Sequence, residues 1–182
     1  MRFVDARDSS TANHSQVVSL LAEAIGRELA LDPEFVEQLK LGGLLHDLGK
    51  IGVPDAILQA PRRLTDEEFD VIKRHPEIGH SLLEGLGIEP IETWILHHHE
   101  HWDGSGYPHG LAGGEIPLGA RIILVADAFE AMTADRPYRQ AMPTAAALEE
   151  LRDKAGTQFD PTIVEAMESH LAGSAQRVAA TA

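Results

Sequence analysis

The sequence predicts an all-α protein made of one domain. Leucine, alanine and glutamate are abundant while aromatic residues make up only 5% of the chain, a composition typical of helices. Apolar residues recur at helical spacing in several segments, and glycine and proline separate those segments. A chain of 182 residues fits one compact domain, and its pattern indicates neither an internal repeat nor a second core.

Composition and charge argue against several classes of protein. The absence of cysteine rules out disulfides and thiolate metal sites and suits the reducing cytoplasm, where we expect the protein to act. No apolar run approaches the roughly 20 residues of a membrane span, and the N-terminus lacks a signal-peptide pattern. A net charge of −14 disfavours binding to DNA or anionic membranes. An anionic substrate would therefore need metal ions or clustered Lys and Arg at its site.

The first helix is predicted from about Ser15, and residues 1–13 form a linker or a first helical turn. Apolar residues at positions 17, 18, 20, 21, 24, 25 and 29 make one face of that helix. His14 stands at the start of the face and, taken alone, is best explained as a solvated histidine at a helix end. Asp32-Pro33 begins a second helix, because a capping side chain is followed there by proline at the first helical position.

The second helix leads into His46-Asp47-Leu48-Gly49-Lys50. An imidazole, a carboxylate and an ammonium follow one another here between apolar neighbours. Burial of an unpaired charged group is costly, so these groups are expected to have partners, and a metal ion is one candidate. The simpler interpretation is a helix end at which Asp47 pairs with Lys50 and His46 packs against the core.

The next segment alternates between turns and short helices. Residues 56–64 are predicted to form a loop, and the capping box Thr65–Glu68 predicts a short helix after it. Pro76 disfavours helical backbone at His75. A further helix is expected over residues 76–86.

Four histidines occur within five residues, directly before a glycine-rich loop: His97-His98-His99-Glu100-His101-Trp102-Asp103-Gly104-Ser105-Gly106-Tyr107-Pro108. A solvated helix end would explain them without a function. A strand would place His97, His99 and His101 on one face, as in a three-histidine zinc site, but the helical context argues against it. His80 lies apart from this cluster and is interpreted as a bystander.

The segment from Leu118 to Met132 is apolar nearly all round, which predicts the central buried helix. Asp127 lies in its middle. A lone ionised aspartate there would be strongly destabilising, so Asp127 is either neutral or met by a positive group, and of the two we expect a metal-ligand role. Two arginines, Arg136 and Arg139, follow the helix.

The rest of the chain is predicted to support this core. Residues 143–155 suit a helix with Gly156 as its stop, and Asp160-Pro161 begins a last helix. Residues 173–182 are small and polar and are expected to form a flexible tail. The domain is therefore predicted to span residues 14–172.

Helical packing could bring together seven nitrogen and oxygen donors: His14, His46, Asp47, His75, His98, His99 and Asp127. They exceed the needs of one tetrahedral zinc and suit two first-row metals that share a bridging carboxylate and a bridging water. Such a pair activates water and stabilises both oxygens of an in-line displacement, which points to hydrolysis of a phosphate ester. Lys50 and the arginines would then hold phosphate oxygens.

These residues resemble the HD superfamily of metal-dependent phosphohydrolases and, in longer motifs, its HD-GYP family. The resemblance covers about residues 14–170. The matching motifs are His46-Asp47-Leu48-Gly49-Lys50-Ile51-Gly52-Val53-Pro54-Asp55, Ile72-Lys73-Arg74-His75-Pro76, His98-His99-Glu100, Trp102-Asp103-Gly104-Ser105-Gly106-Tyr107-Pro108, Ile116-Pro117-Leu118-Gly119-Ala120-Arg121-Ile122, Asp135-Arg136-Pro137-Tyr138-Arg139 and Gly156-Thr157-Gln158-Phe159-Asp160-Pro161.

The resemblance implies an HD-type helical bundle with a glycine-rich GYP loop at residues 106–108. It implies a bacterial cyclic di-GMP phosphodiesterase that opens the ring to linear pGpG and can continue to GMP. It further implies docking of the GYP loop on diguanylate cyclase (GGDEF) domains. Family members usually carry an N-terminal sensory module, so we expect this chain to be an excised domain or a free-standing output unit.

The resemblance also assigns the site residues. One divalent ion would be held by His14, His46, Asp47 and Asp127. Asp47 would bridge to a second ion that is held by His75, His98 and His99. Asp47 and Lys50 are implied to be catalytic, and substrate contacts are implied for Lys50, Tyr107, Arg136 and Arg139. Iron or manganese is the expected metal, with nickel, zinc and magnesium as alternatives.

Two departures and two alternatives stay open at this point. Ser10 replaces the glutamate with which some members bind a third metal, so two ions are expected, and His101 replaces a common arginine.

A receptor that binds a cyclic dinucleotide or a partner domain without turnover would retain the same fold. A hydrolase of another phosphoester, such as cyclic GMP-AMP or a nucleotide monophosphate, would retain the same metal ligands.

Overall fold

Helices form nearly all the regular structure of the chain. The computed structural model describes residues 9–60, 62–135 and 140–181. Its α-helices are α1 (Ser9–Glu28), α2 (Pro33–Leu45), α3 (Asp55–Leu58), α4 (Asp66–Ile72), α5 (His75–Leu83), α6 (Ile91–His97), α7 (Leu118–Thr133), α8 (Thr144–Asp153) and α9 (Pro161–Thr181). Two 3₁₀-helices cover Leu48–Gly52 and Gly113–Glu115. These ranges contain no β-strand, only an isolated bridge between Ala155 and Phe159, so the predicted all-α class is confirmed.

Capping groups fix several helix starts as predicted. The side chain of Asp32 accepts a hydrogen bond from the N–H of Glu34 at the start of α2, with Pro33 as the first helical residue. Thr65 and Glu68 exchange the two hydrogen bonds of a capping box at the start of α4. These contacts satisfy N–H groups that have no partner within the helix.

Some predicted boundaries are wrong. The predicted loop over 56–64 contains the last residues of α3, and α5 begins at His75 instead of after it. His75 can be helical because the proline that follows lies in the first turn, where a missing N–H costs no helical hydrogen bond. The helix ends at Leu83 rather than at residue 86, shortly before Gly85, whose φ is 79°.

The two terminal helices are longer than predicted. Helix α1 begins at Ser9, six residues before the predicted start at Ser15. Helix α9 runs on to Thr181 and so includes most of the segment expected to be a tail. The proposed flexibility of residues 173–182 stays a prediction.

Helix α7 lies at the centre of the core, as its apolar sequence predicts. Ile122, Ile123 and Val125 are each fully buried, and α7 packs against α1, α2, α6, α8 and α9. Helix α1 packs against α2 and α9, and α5 packs against α6. The helices that carry the predicted metal ligands are therefore held around one core. No helix in the described part of the chain is long and apolar enough to cross a membrane.

Helices α6 and α7 approach each other through a glycine. A Cβ atom on Gly119 would lie 2.1 Å from Cδ2 of Trp94, and the Trp94 side chain, only 2% exposed, lies in the core. A large rigid ring in a close-packed interior has little room to move. Gly119 is therefore required for the packing of α7 on α6.

We expect Gly119→Ala to lower the free energy of unfolding by about 3 kcal/mol, because overpacking of a core forces side chains and backbone to shift. Urea unfolding followed by tryptophan fluorescence measures this change. The matched control is Gly114→Ala, since a Cβ there meets no atom of the described residues within 4 Å, and its effect should stay within about 0.5 kcal/mol. Equal stability of the two variants would contradict this account of the interface.

Candidate metal centre

All seven predicted donors lie together in the structure. His14 comes from α1, His46 and Asp47 follow α2, His75 begins α5, His98 and His99 follow α6, and Asp127 lies on α7. The helix ends and faces converge because the apolar sides of these helices pack on the same core. Three of the imidazoles, those of His46, His75 and His98, are at most 1% exposed.

The first group of donors comprises His14, His46 and Asp127. Nε2 of His14 lies 3.3 Å from Nε2 of His46 and 3.2 Å from Oδ1 of Asp127. Nε2 of His46 lies 3.9 Å from the same carboxylate oxygen. One ligand atom from each of the three residues thus faces a common point.

The second group comprises His75, His98 and His99. Nε2 of His75 lies 3.3 Å from Nε2 of His98. The ring of His99 lies 5.0 Å from that of His75 and 4.1 Å from that of His98, centroid to centroid. One nitrogen from each imidazole lies within 4.8 Å of the others, as a shared ion requires.

The carboxylate of Asp47 lies between the two groups. Its Oδ2 is 3.5 Å from Nε2 of His46 and 3.8 Å from Nε2 of His14. Its other oxygen, Oδ1, is 3.5 Å from Nε2 of His75. Lys50 contacts Oδ2 from Nζ at 2.6 Å. Asp47 is 3% exposed, so one buried carboxylate faces both groups with different oxygens.

Backbone carbonyls orient three of the imidazoles. Nδ1 of His46 donates to the carbonyl of Gly43, Nδ1 of His75 to that of Ile72, and Nδ1 of His98 to that of Ile95, at 2.6–2.8 Å. In each case the carbonyl belongs to the residue three positions earlier. This contact fixes the tautomer and leaves the Nε2 lone pair available to a metal ion, and it is the usual outer contact of metal-bound histidines in other proteins.

The electrostatics of the site favour neutral imidazoles in the second group of donors and ionised aspartates, whereas the pKa of His14 is raised because burial is outweighed by its contacts with Asp127 and Glu130. Burial lowers the pKa of His98 well below its ordinary value, and burial together with the nearby His75 lowers the pKa of His99 to about 3. Burial raises the pKa of Asp47, but Lys50 and two imidazoles more than offset it, so the pKa lies well below its ordinary value. Burial raises the pKa of Asp127, but a hydrogen bond from His14 and the imidazoles of His46 and His99 together more than offset it, so the pKa falls to about 2. Divalent metals bind these protonation states.

The donor set fits divalent first-row metals. It contains imidazole nitrogens and carboxylate oxygens without any thiolate, and the ligating nitrogens face inward. The separations of 3.2–3.9 Å within the first group are close to those of atoms that share one ion, since ligands about 2.1 Å from a metal lie about 3 to 3.4 Å apart. Both predicted clusters therefore suit a metal ion.

Two carboxylates were missed by the sequence analysis. Oε2 of Glu130 accepts a short hydrogen bond from Nδ1 of His14, in place of the backbone carbonyl that His46, His75 and His98 use. Its position three residues after Asp127 on the same helix face was the available signal. Buried Glu100 accepts hydrogen bonds from the N–H groups of His109 at 2.7 Å and Gly110 at 3.0 Å. It therefore anchors the glycine-rich loop.

The loop brings Tyr107 over the second group of donors. Its ring stacks on that of His99, with centroids 4.9 Å apart and planes 26° apart. Gly106 permits this approach, because a Cβ there would lie 2.2 Å from the backbone N of His101. Burial raises the pKa of Tyr107, and the charges of two nearby aspartates raise it further. Tyr107 therefore keeps its hydroxyl proton over the physiological pH range.

Other histidines named in the sequence analysis do not belong to the two groups of donors. His80 lies near the backbone carbonyl of Glu92, and Nδ1 of His101 contacts the hydroxyl of Ser105. His97, His99 and His101 do not form a strand face. Arg136 and Arg139 lie outside the described residues.

The comparison with protein families agrees with this geometry. The model described as "HD domain" matches residues 1–163. The chain belongs to the HD domain family. Phosphohydrolases of this family bind divalent metals, and the described part of this chain contains His and Asp clusters suited to them.

Named relatives confirm the resemblance to the HD-GYP family. The "Cyclic di-GMP phosphodiesterase response regulator RpfG" of Xanthomonas campestris is 43% identical over 96% of this chain and 46% of its own length. The "3′3′-cGAMP-specific phosphodiesterase 3" of Vibrio cholerae is 38% identical over 93% of this chain and 37% of its own length. The chain thus spans less than half the length of either relative.

A solved structure confirms the fold. The HDG"Y"P protein Bd1817 from Bdellovibrio bacteriovorus superposes on 88% of this chain with a TM-score of 0.70, over 52% of its own chain. At 22% sequence identity this likeness concerns the fold alone.

Glu130 should raise the metal affinity of the HD domain through His14. We expect Glu130→Gln to weaken binding of manganese about tenfold, since loss of an outer-shell carboxylate that orients a ligating histidine typically has this effect. Titration of the metal-free protein measures the change, with Glu165→Gln, an exposed position on α9, as the control. Unchanged affinity would mean that Glu130 does not act on the site.

Proposed function

We propose that the chain is the catalytic part of a metal-dependent phosphodiesterase that hydrolyses cyclic di-GMP to linear pGpG and onward to GMP. The observation that carries the proposal is the position of Asp47, whose two carboxylate oxygens face two separate groups of donors. A relative named as a cyclic di-GMP phosphodiesterase, 43% identical over nearly the whole chain, supports the choice of substrate.

Two divalent ions would occupy the site. His14, His46 and Asp127 would hold one, His75, His98 and His99 the other, and Asp47 would contact both. When bound, such a pair supplies an activated water and positive charge for the phosphate oxygens. The proposed metals are iron or manganese, and the nitrogen and oxygen donors also admit nickel, zinc and magnesium.

Lys50 is proposed to act on both the site and the substrate. Its ammonium lies 2.6 Å from Oδ2 of Asp47 and lowers the pKa of that carboxyl, so it keeps the carboxylate ionised. The Lys50 side chain is 36% exposed and is therefore within reach of a ligand from solvent. A phosphate oxygen of the substrate would accept a hydrogen bond from this ammonium.

Tyr107 is proposed to bind the substrate at the other edge of the site. The stacking of its ring on His99 keeps the side chain beside the second group of donors. Because its pKa is raised, the hydroxyl remains a donor that can contact an anionic phosphate or a guanine acceptor. Arg136 and Arg139 are proposed as further substrate contacts on the basis of the family motif alone.

The local charge of the site would also compensate for the acidic chain. The net charge is −14, which by itself repels an anionic dinucleotide. Two divalent ions together with Lys50 would reverse the local field where the phosphates bind. We therefore expect substrate binding to depend on metal loading.

Partners of the full-length protein are proposed from the family. The GYP loop, residues 106–108, would dock on a diguanylate cyclase (GGDEF) domain. The chain spans 46% of the RpfG relative, and we propose that a sensory module controls the HD domain in the same polypeptide.

A second candidate substrate is 3′3′-cGAMP. The relative from Vibrio cholerae named for this activity is 38% identical over 93% of the chain. Both dinucleotides contain the same kind of cyclic phosphodiester, so the proposed metal site serves either. Discrimination would arise from contacts with the second base.

The deciding experiment is anaerobic incubation of the metal-free chain with Mn²⁺ or Fe²⁺ and either cyclic di-GMP or 3′3′-cGAMP. Products are separated by chromatography, and a sample with excess chelator is the control. We expect metal-dependent formation of pGpG, followed by GMP, and slower turnover of 3′3′-cGAMP. Faster turnover of 3′3′-cGAMP would reverse the order of the substrates. Binding of either dinucleotide without any product, in protein that holds its metals, would contradict catalysis and favour a receptor.

A further inference from the structure

A third group of donors lies beside the glycine-rich loop, outside the two groups of the metal centre. It comprises His97 at the end of α6, Glu100 just after it, and His109 in the loop. One ligand atom from each residue lies within 4.8 Å of the others. The rings of His97 and His109 are 5.2 Å apart, centroid to centroid.

The Nδ1 atom of His97 is in a position to bind a ligand. This atom is buried and makes no hydrogen bond to any residue that the structure describes, whereas Nδ1 of His98 next to it donates to a backbone carbonyl. A buried polar atom without a partner is costly and rare. Oε1 of Glu100 lies 3.6 Å from this nitrogen of His97, which is too long for a hydrogen bond.

The separation of these two atoms suits shared coordination. Two ligands that are each about 2.1 Å from a tetrahedral zinc ion lie about 3.4 Å apart. The 3.6 Å between Nδ1 of His97 and Oε1 of Glu100 is close to that value. An ion between them would satisfy the orphaned nitrogen of His97 directly.

Glu100 is held as a ligating carboxylate would be. It is 1% exposed, and the N–H groups of His109 and Gly110 each donate to one of its oxygens. A carboxylate accepts about four such contacts, so each oxygen retains a lone pair for an ion. Backbone donors of this kind orient the ligands of a metal site.

We propose that His97, Glu100 and His109 form a separate binding site for a zinc-type transition-metal ion, with water as the fourth ligand. Two imidazoles and one carboxylate are an established zinc donor set with one open position. His109 is exposed, which gives the ion a path from solvent. The bound ion ties the loop that carries Tyr107 to the end of α6. The binding of this ion does not require the proposed phosphodiesterase activity.

The test uses the full chain and Zn²⁺ alone. Wild-type protein and His109→Ala are dialysed against a series of buffered free-zinc concentrations, and zinc per chain is measured by elemental analysis. We expect the variant to hold one zinc ion fewer, because it loses a ligand at an exposed position that the fold does not require. His170→Ala, which removes a histidine on α9, is the control and should match the wild type.

A second variant separates a ligand role from an effect on the loop. His97→Gln keeps most of the side-chain volume but lacks the imidazole, and it should lose the same single zinc ion while retaining the binding of manganese at the main centre. Equal zinc content in wild type and both variants would overturn the proposal. Loss of more than one ion in His109→Ala would also overturn it, since the site would not be separate.

Discussion

The burial of one carboxylate between two sets of imidazoles is the interaction on which the rest of the site depends. Asp47 is 3% exposed and faces His46 with one oxygen and His75 with the other. An ionised carboxylate in such a place is tolerated only where cations and donors surround it. Within the protein, Lys50, His46 and His75 surround the carboxylate of Asp47 and stabilise its ionised form. Divalent ions would stabilise it more fully, because they would add several positive charges to that of the Lys50 ammonium.

The fold serves this arrangement by bringing backbone segments unusually close together. A Cβ on Gly49 would lie 1.9 Å from the carbonyl oxygen of His75, so the segment after Asp47 lies directly on the first turn of α5. Gly106 allows the loop to lie equally close to the residues that follow α6. The two glycines set how near Asp47 and Tyr107 come to the histidines. Local backbone geometry in this way determines the dimensions of the candidate active site.

Much of this could be predicted from the sequence because the ligands belong to short ordered motifs and the helices have clear apolar periods. His14 was the weakest of the seven, since nothing near it in sequence signals a metal, yet it lies 3.3 Å from His46. Glu130 was missed because its partner is distant in sequence, a histidine 116 residues away. Glu100 was missed because its partners are backbone N–H groups of His109 and Gly110, and side-chain patterns do not show how a loop folds back on a carboxylate. The helical backbone of His75 was also missed. Proline disfavours helical backbone at the residue before it, but His75 is the first residue of α5 and is helical all the same. Pairings between distant segments follow from tertiary packing, which periodicity does not reveal.

The central claim is that Asp47 joins two metal ions, and a count of ions with their magnetic coupling tests it most directly. Metal-free protein is loaded with Mn²⁺, bound metal is measured by elemental analysis, and the sample is studied by electron paramagnetic resonance beside Asp47→Ala and the exposed control Asp153→Ala. The account predicts a coupled manganese pair in wild type and control, and loss of the coupled signal together with hydrolysis in Asp47→Ala. A coupled pair with full activity in Asp47→Ala would contradict it.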